Sequence, residues 1–197
     1  MNRQKLLQGV VCVGLVAFLI SGCGGAPQSE AAAPTVASPT PTPMPGLEGK
    51  RALFVVPDRY LEAEYDLPRS ILEGSGVLIT VASWSMDEVL GTKGDKVQPD
   101  LQLSDVRADD YDAIVMVGGE GVRPTEVEIQ RIVGEAIANG KVVAAICGSQ
   151  AILAHAGVVE AGGVARGTVE RDGLIVTASG SAAAHEFGTT IASLLGQ

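Results

Sequence analysis

The chain of 197 residues holds only three cysteines, two histidines and fourteen Lys and Arg side chains, the last set against 23 acids. Each shortage excludes something. Three cysteines in this length cannot staple a disulfide-dense scaffold. With a formal net charge of -9, the chain lacks the clustered cations whose counterion release drives nucleic-acid binding, so no nucleic-acid partner is expected. Two scattered histidines and few cysteines give no ligand spacing, so neither a metal nor another cofactor is expected. Apolar residues, by contrast, are plentiful: 46% of the chain is hydrophobic and 19% charged. That is too apolar for a disordered chain and suits one globular domain plus some extra sequence.

The extra sequence lies at the N-terminus. Arg3 and Lys5 precede an uncharged apolar run from Val10 to Ile20, followed by the small residues Ser21 and Gly22 and then Cys23. This is the pattern of a signal peptide over 1–22. The run is about half of the roughly 20 residues that a bilayer-spanning helix needs. Ile20-Ser21-Gly22-Cys23 resembles a bacterial lipobox, which implies that Cys23 is diacylated and becomes the new N-terminus. The alternative is an ordinary secretory signal that happens to end before a cysteine. Two or three acyl chains anchor stably where one is marginal, so the bilayer is the expected partner of Cys23. The protein is then expected at the cell membrane or envelope, facing outside the cytoplasm. Residues 23–49 are rich in Ala, Pro, Ser and Thr and end near Pro39-Thr40-Pro41-Thr42-Pro43-Met44-Pro45. Such a stretch cannot build a core and favours extended polyproline II, a semi-rigid tether.

The folded domain is expected over 50–197. Short aliphatic runs alternate there with stretches of helical period. Ala52 to Val56 and Val77 to Ala82 read as strands flanking a helix on which Leu67 to Leu72 lies, and Trp84 to Val106 as irregular with a small hairpin. Ala113 to Val117 reads as a strand, and Pro124 opens a helix that stops at Asn139-Gly140. Val142 to Ile146 is a strand running into Cys147, with an Ala-rich helix to Ala156 beyond it. Leu174 to Thr177 is the last strand and Ala183 to Leu195 the closing helix. Nearly continuous apolar strands separated by helices predict a mostly parallel sheet covered on both faces, a three-layer αβα sandwich.

Cys147 is the chemically informative position. A buried strand breaks there into a helix, and Gly148 and Ser149 are small enough for a sharp turn. That geometry presents a nucleophile at the carboxyl edge of an open sheet, where helix N–H groups favour thiolate. A buried structural cysteine is the alternative. Gly118-Gly119, ending the neighbouring strand, could offer backbone N–H groups to an oxyanion, or could simply form a tight turn.

Taken together, Ala52-Leu53-Phe54-Val55-Val56 with Glu64 and Pro68, Tyr111-Asp112-Ala113-Ile114-Val115 with Gly118-Gly119, Ala144-Ala145-Ile146-Cys147, and Asp172-Gly173-Leu174-Ile175-Val176-Thr177 with Gly180 resemble the DJ/PfpI superfamily. This is the glutamine-amidotransferase-like group, and the resemblance covers essentially all of 50–197. It implies a flavodoxin-like fold, Cys147 as elbow nucleophile, and Glu64 as its carboxyl partner from the loop after the first strand. Gly119 would supply the main-chain oxyanion donor, with Gly148 adding its own N–H. Members commonly dimerise, so a homodimer is a further expectation.

Departures from the family pattern matter as much. The PfpI-type proteases place a histidine directly after the nucleophile, where this chain has Gly148, and Gly157 to Arg171 supplies none. His155 is expected at the surface or in packing, with His185 a candidate for the rim of the site. Without a base to protonate a leaving nitrogen, proteolysis is disfavoured. Three readings are carried forward. The first is a glyoxalase- or deglycase-like enzyme in which Cys147 adds to a small reactive carbonyl and Glu64 moves the proton. The second is a sensor in which Cys147 is oxidised without turnover. The third keeps the fold for ligand or partner binding alone. On the anchor, Cys23→Ala should abolish acyl labelling and globomycin-sensitive processing; labelling that persists would refute lipidation at Cys23.

Overall fold

The computed structural model describes residues 46–159 and 168–197. The expected leader, Cys23, the tether up to residue 45 and residues 160–167 lie outside the described residues. Nine strands and four helices are described, with four short 3-10 turns among them. In chain order they are β1 (Arg51–Val55), α1 (Glu62–Gly74), β2 (Leu78–Ser83), β3 (Val89–Leu90), β4 (Lys96–Val97), β5 (Leu101–Gln102), β6 (Ala113–Met116), α2 (Val127–Ala138), β7 (Val142–Ile146), α3 (Gln150–His155), β8 (Val169–Asp172), β9 (Ile175–Ala178) and α4 (Ala184–Leu195).

Seven strands form one sheet in the order β5-β2-β1-β6-β7-β9-β8. All neighbours are parallel except the last pair, β9 with the edge strand β8. The register explains the apolar runs. Ala52 pairs with Ala113, which pairs with Val142, and Leu53 pairs with Ile114, which pairs with Val143. Because side chains alternate across a sheet, the first row faces one layer and the second the other. Phe54, Val115, Ala144 and Ile146 pack with Tyr65 and Leu72 of α1 and Phe187 and Ile191 of α4. Val55, Met116 and Ala145 pack with Ile129, Ile132 and Val133 of α2 and Leu153 of α3. With both faces covered, β6 and β7 are buried at every residue, and the predicted three-layer, mostly parallel sandwich is what the chain forms.

Several boundaries differ from the sequence reading. Helix α1 begins at Glu62, five residues before Leu67, so Glu64 stands on its first turn and not in a loop. Pro68 lies inside α1, where its missing N–H leaves the Glu64 carbonyl four residues back without the usual helix partner. Pro124 does not open α2: Glu126 is extended and the helix starts at Val127, while the Gln130 amide donates to the Pro124 carbonyl at 2.6 Å. The expected small hairpin is β3 with β4. The last strand has an unforeseen partner, β8, whose side chains are mostly exposed and so give no apolar alternation to read.

Helices α1 and α4 cross closely at Gly188. A Cβ there would sit 2.8 Å from the Pro68 Cα. Overpacking of this kind costs about 1–3 kcal/mol, so Gly188→Val should lower urea-unfolding stability by about 2 kcal/mol or more; an unchanged midpoint would contradict the close crossing.

Candidate functional site

The carboxyl ends of β1, β6, β7 and β9 meet at one edge of the sheet. Cys147 follows β7 directly with a φ of 57°, a left-handed conformation that few non-glycine residues adopt. The neighbouring chain holds it there. The Ser149 hydroxyl donates to the Val117 carbonyl at the end of β6 at 2.6 Å, and the Gln150 amide donates to the Ala178 carbonyl at the end of β9 at 2.8 Å. A six-residue α3 then begins. The turn thus presents the half-buried sulfur at the crevice where ligands of open α/β sheets bind.

Glu64 reaches the same place from the opposite layer and is 1% exposed. Its Oε1 accepts from the Ser181 hydroxyl at 3.0 Å. Its Oε2 is buried without a well-aligned donor among the described residues. Both oxygens depend on missing side chains. A Cβ on Gly118 would run into the Glu64 carboxyl and lie 2.8 Å from the Cys147 Cβ. Gly180 has a φ of 150°, a backbone open in practice only to glycine, and brings Ser181 in beneath the carboxyl.

Burial raises the proton affinity of both the carboxyl and the thiol. Burial pushes the Cys147 thiol up from its ordinary value, the Glu64 carboxylate pushes it further, and the Gly148 N–H acts weakly the other way. Burial also raises Glu64, against hydrogen bonds from Ser181 and Cys147 and from the Gly118 backbone. This corrects the expectation that helix N–H groups would lower the thiol, because a 3-10 turn and a six-residue helix offer little dipole to set against burial and a like charge. Between the two ionisations the pair holds one proton in common.

A cavity of about 240 Å³ opens beside the sulfur, lined by Arg59, Leu61, Thr92, Gly119, Glu120, Cys147 and Gly148. Gly119 lies against Tyr60, whose Cα a Cβ would meet at 2.8 Å. The bonds flanking it run from Leu61 N–H to Gly118 O and from Glu120 N–H to Arg59 O, leaving the Gly119 N–H outside that pairing. Gly118 does not line the cavity; its backbone faces the Glu64 carboxyl. His185 is exposed on the first turn of α4 and His155 exposed at the end of α3, and neither lines the cavity.

Four participants were not expected from the sequence. Ser181 was visible only as half of a Gly-Ser turn. Glu62, two residues before Glu64, is also buried but serves the loop between β3 and β4, accepting from the Thr92 hydroxyl at 2.9 Å and the Lys93 N–H at 2.5 Å. Burial works to raise it, yet those donors hold it below the usual carboxylate range. Thr92, so placed, joins the cavity wall with Arg59. Among the described residues no group of three or more His, Cys, Asp or Glu could hold a metal ion, and no helix is long and apolar enough to cross a membrane.

Residues 50–168 match the family model described as the DJ-1/PfpI family. The chain belongs to the DJ-1/PfpI family. It is 27% identical to Protein dj-1beta of Drosophila melanogaster over 74% of this chain and 89% of that one. To Deglycase PfpI of Pyrococcus furiosus it is 32% identical over 56% of this chain and 68% of the other. A relative from Methanocaldococcus jannaschii is 32% identical, the match spanning 56% of each chain. Among solved structures, a ThiJ/PfpI domain protein of Brachyspira murdochii superposes with a TM-score of 0.70 at 26% identity, covering 75% of this chain and 98% of that one. This DJ-1/PfpI domain has the family's fold, and within it Cys147 and the buried Glu64 lie at one sheet edge.

The raised carboxyl gives a test. A proton held more tightly folded than unfolded stabilises the fold fully below the unfolded value, near 4.5, and that contribution is lost as pH rises through the folded one. Glu64→Gln carries no charge, so its stability relative to wild type should improve as pH rises from 4.5 to 8 in urea melts. A difference that stays flat would contradict a raised Glu64.

Proposed function

We propose that this DJ-1/PfpI domain acts on small reactive carbonyls, deglycase- or glyoxalase-like, with Cys147 as an elbow nucleophile and Glu64 as its proton carrier, on a protein anchored through acylated Cys23. The observation that carries the reading is the one-proton pair of Glu64 and Cys147 opening on a 240 Å³ cavity walled by Gly119 and Gly148. Relatives named as deglycases support the class of chemistry.

The steps follow from the pair. As the Cys147 sulfur bonds to the carbonyl carbon, the Glu64 carboxylate takes the thiol proton and the C=O π pair moves to oxygen. The Gly119 and Gly148 N–H groups are the main-chain donors available to that oxyanion. Glu64 then returns the proton, leaving a neutral hemithioacetal. No net oxidation occurs and no histidine is required, since the base is the carboxylate itself. Amide hydrolysis is a poorer fit, because no histidine among the described residues lines the cavity to protonate a leaving nitrogen.

A redox-sensing role is the alternative reading, and the upward shift of the Cys147 thiol weighs on it as on the enzyme, since peroxide and carbonyl are both attacked through thiolate. The full-length protein should consume methylglyoxal. Cys147→Ser should abolish this, and Glu64→Gln should lower kcat by about 100-fold, the usual worth of a general base. Absence of consumption by wild type, with clean dioxidation of Cys147 under mild peroxide, would overturn the enzymatic reading in favour of the sensor.

A further inference from the structure

The charged residues lining the Cys147 cavity are Arg59 and Glu120. Arg59 Nε donates to Glu120 Oε2 at 2.5 Å, with both side chains more than half exposed. No described residue accepts from its two terminal nitrogens. Arg59 also has a φ of 52°, a costly conformation for a long L side chain. An exposed ion pair returns less stability than such backbone strain costs, so the pair alone does not account for Arg59 being held there. Two backbone bonds fix the conformation by zipping the loop after β1 to the loop after β6: Glu120 N–H to Arg59 O at 3.2 Å, and Gly121 N–H to Asp58 O at 2.9 Å.

We infer that Arg59 selects carbonyl substrates that carry a carboxylate beside the reacting carbon, 2-oxo acids of the glyoxylate type, with Glu120 as the countercharge that orients its guanidinium. A planar guanidinium whose Nε is already engaged keeps its terminal N–H fork for a second carboxylate, a match that a lysine does not provide. Glu120 and the nearby Asp58 both oppose an incoming anion, so the two members of the ion pair act on the substrate with opposite sign.

This deepens the carbonyl reading and rests on it for the identity of the substrate, so the test is chosen to need no turnover. The full chain is alkylated with iodoacetate or iodoacetamide, reagents of like size that differ in charge, and modification of Cys147 is followed by peptide mass spectrometry. Arg59→Gln should lower the iodoacetate-to-iodoacetamide rate ratio about fivefold and Glu120→Gln should raise it by a similar factor, while 1 M salt collapses the wild-type preference. A ratio that moves the same way in both variants, or does not move, overturns the inference, because loss of a merely structural ion pair is common to both. The neutral reagent's rate in each sample reports whether the cavity has survived the substitution. A Cys147 that reacts with neither reagent in the wild type would count against the carbonyl reading itself.

Discussion

Two ionisable groups buried against one another cannot both release their protons at neutral pH, and the architecture of this domain is arranged around that constraint. Glu64 arrives from α1 on one face of the sheet and Cys147 from the end of β7, and the two meet over Gly118, where a side chain would displace both. Burial raises the proton affinity of each, and the Glu64 carboxylate raises that of the thiol further. A thiol in that setting is not a free thiolate. In the proposed reaction it ionises as it attacks, with Glu64 beside it as the base.

Holding such a pair requires rigid neighbours. The left-handed Cys147 would relax if the chain on its far side were loose, but Ser149 and Gln150 bond it to the ends of β6 and β9. Ser181 satisfies one oxygen of Glu64 while the other is left facing the sulfur. The contrast with Glu62 shows how finely position decides chemistry. Both glutamates lie in the first turn of α1 and both are buried. Glu62 meets a hydroxyl and a backbone N–H and stays ionised, anchoring a loop, whereas Glu64 meets a thiol and too few donors, and its proton affinity rises.

Much of this was legible from residue order. Strands with both faces buried must be apolar throughout, so β1, β6 and β7 announce themselves, and the family pattern marks Glu64, Gly119 and Cys147. The misplacements have physical causes. The start of α1 was hidden because its first turn is acidic and carries no apolar period, and burial of Glu62 and Glu64 is a property of what packs over them. Strand β8 was hidden because an exposed edge strand needs no hydrophobic alternation. Pro124 looked like a helix start because proline is tolerated there, yet the loop runs on to Glu126.

Sequence alone was enough for the layers, most of the strands and helices, and the place of Cys147 at a strand end, because these follow from local apolar periodicity and turn residues. Its shortage of cysteine also left the domain one thiol, and the family resemblance marked one carboxyl, Glu64, beside it. Only the tertiary structure decided the protonation of that pair. Proton affinity depends on what surrounds a group in three dimensions, and Glu64 and Cys147 are 83 residues apart in a chain that must close a sheet before they meet. The same closure brought Arg59 and Glu120 to the mouth of one cavity, a juxtaposition that no spacing along the chain encodes.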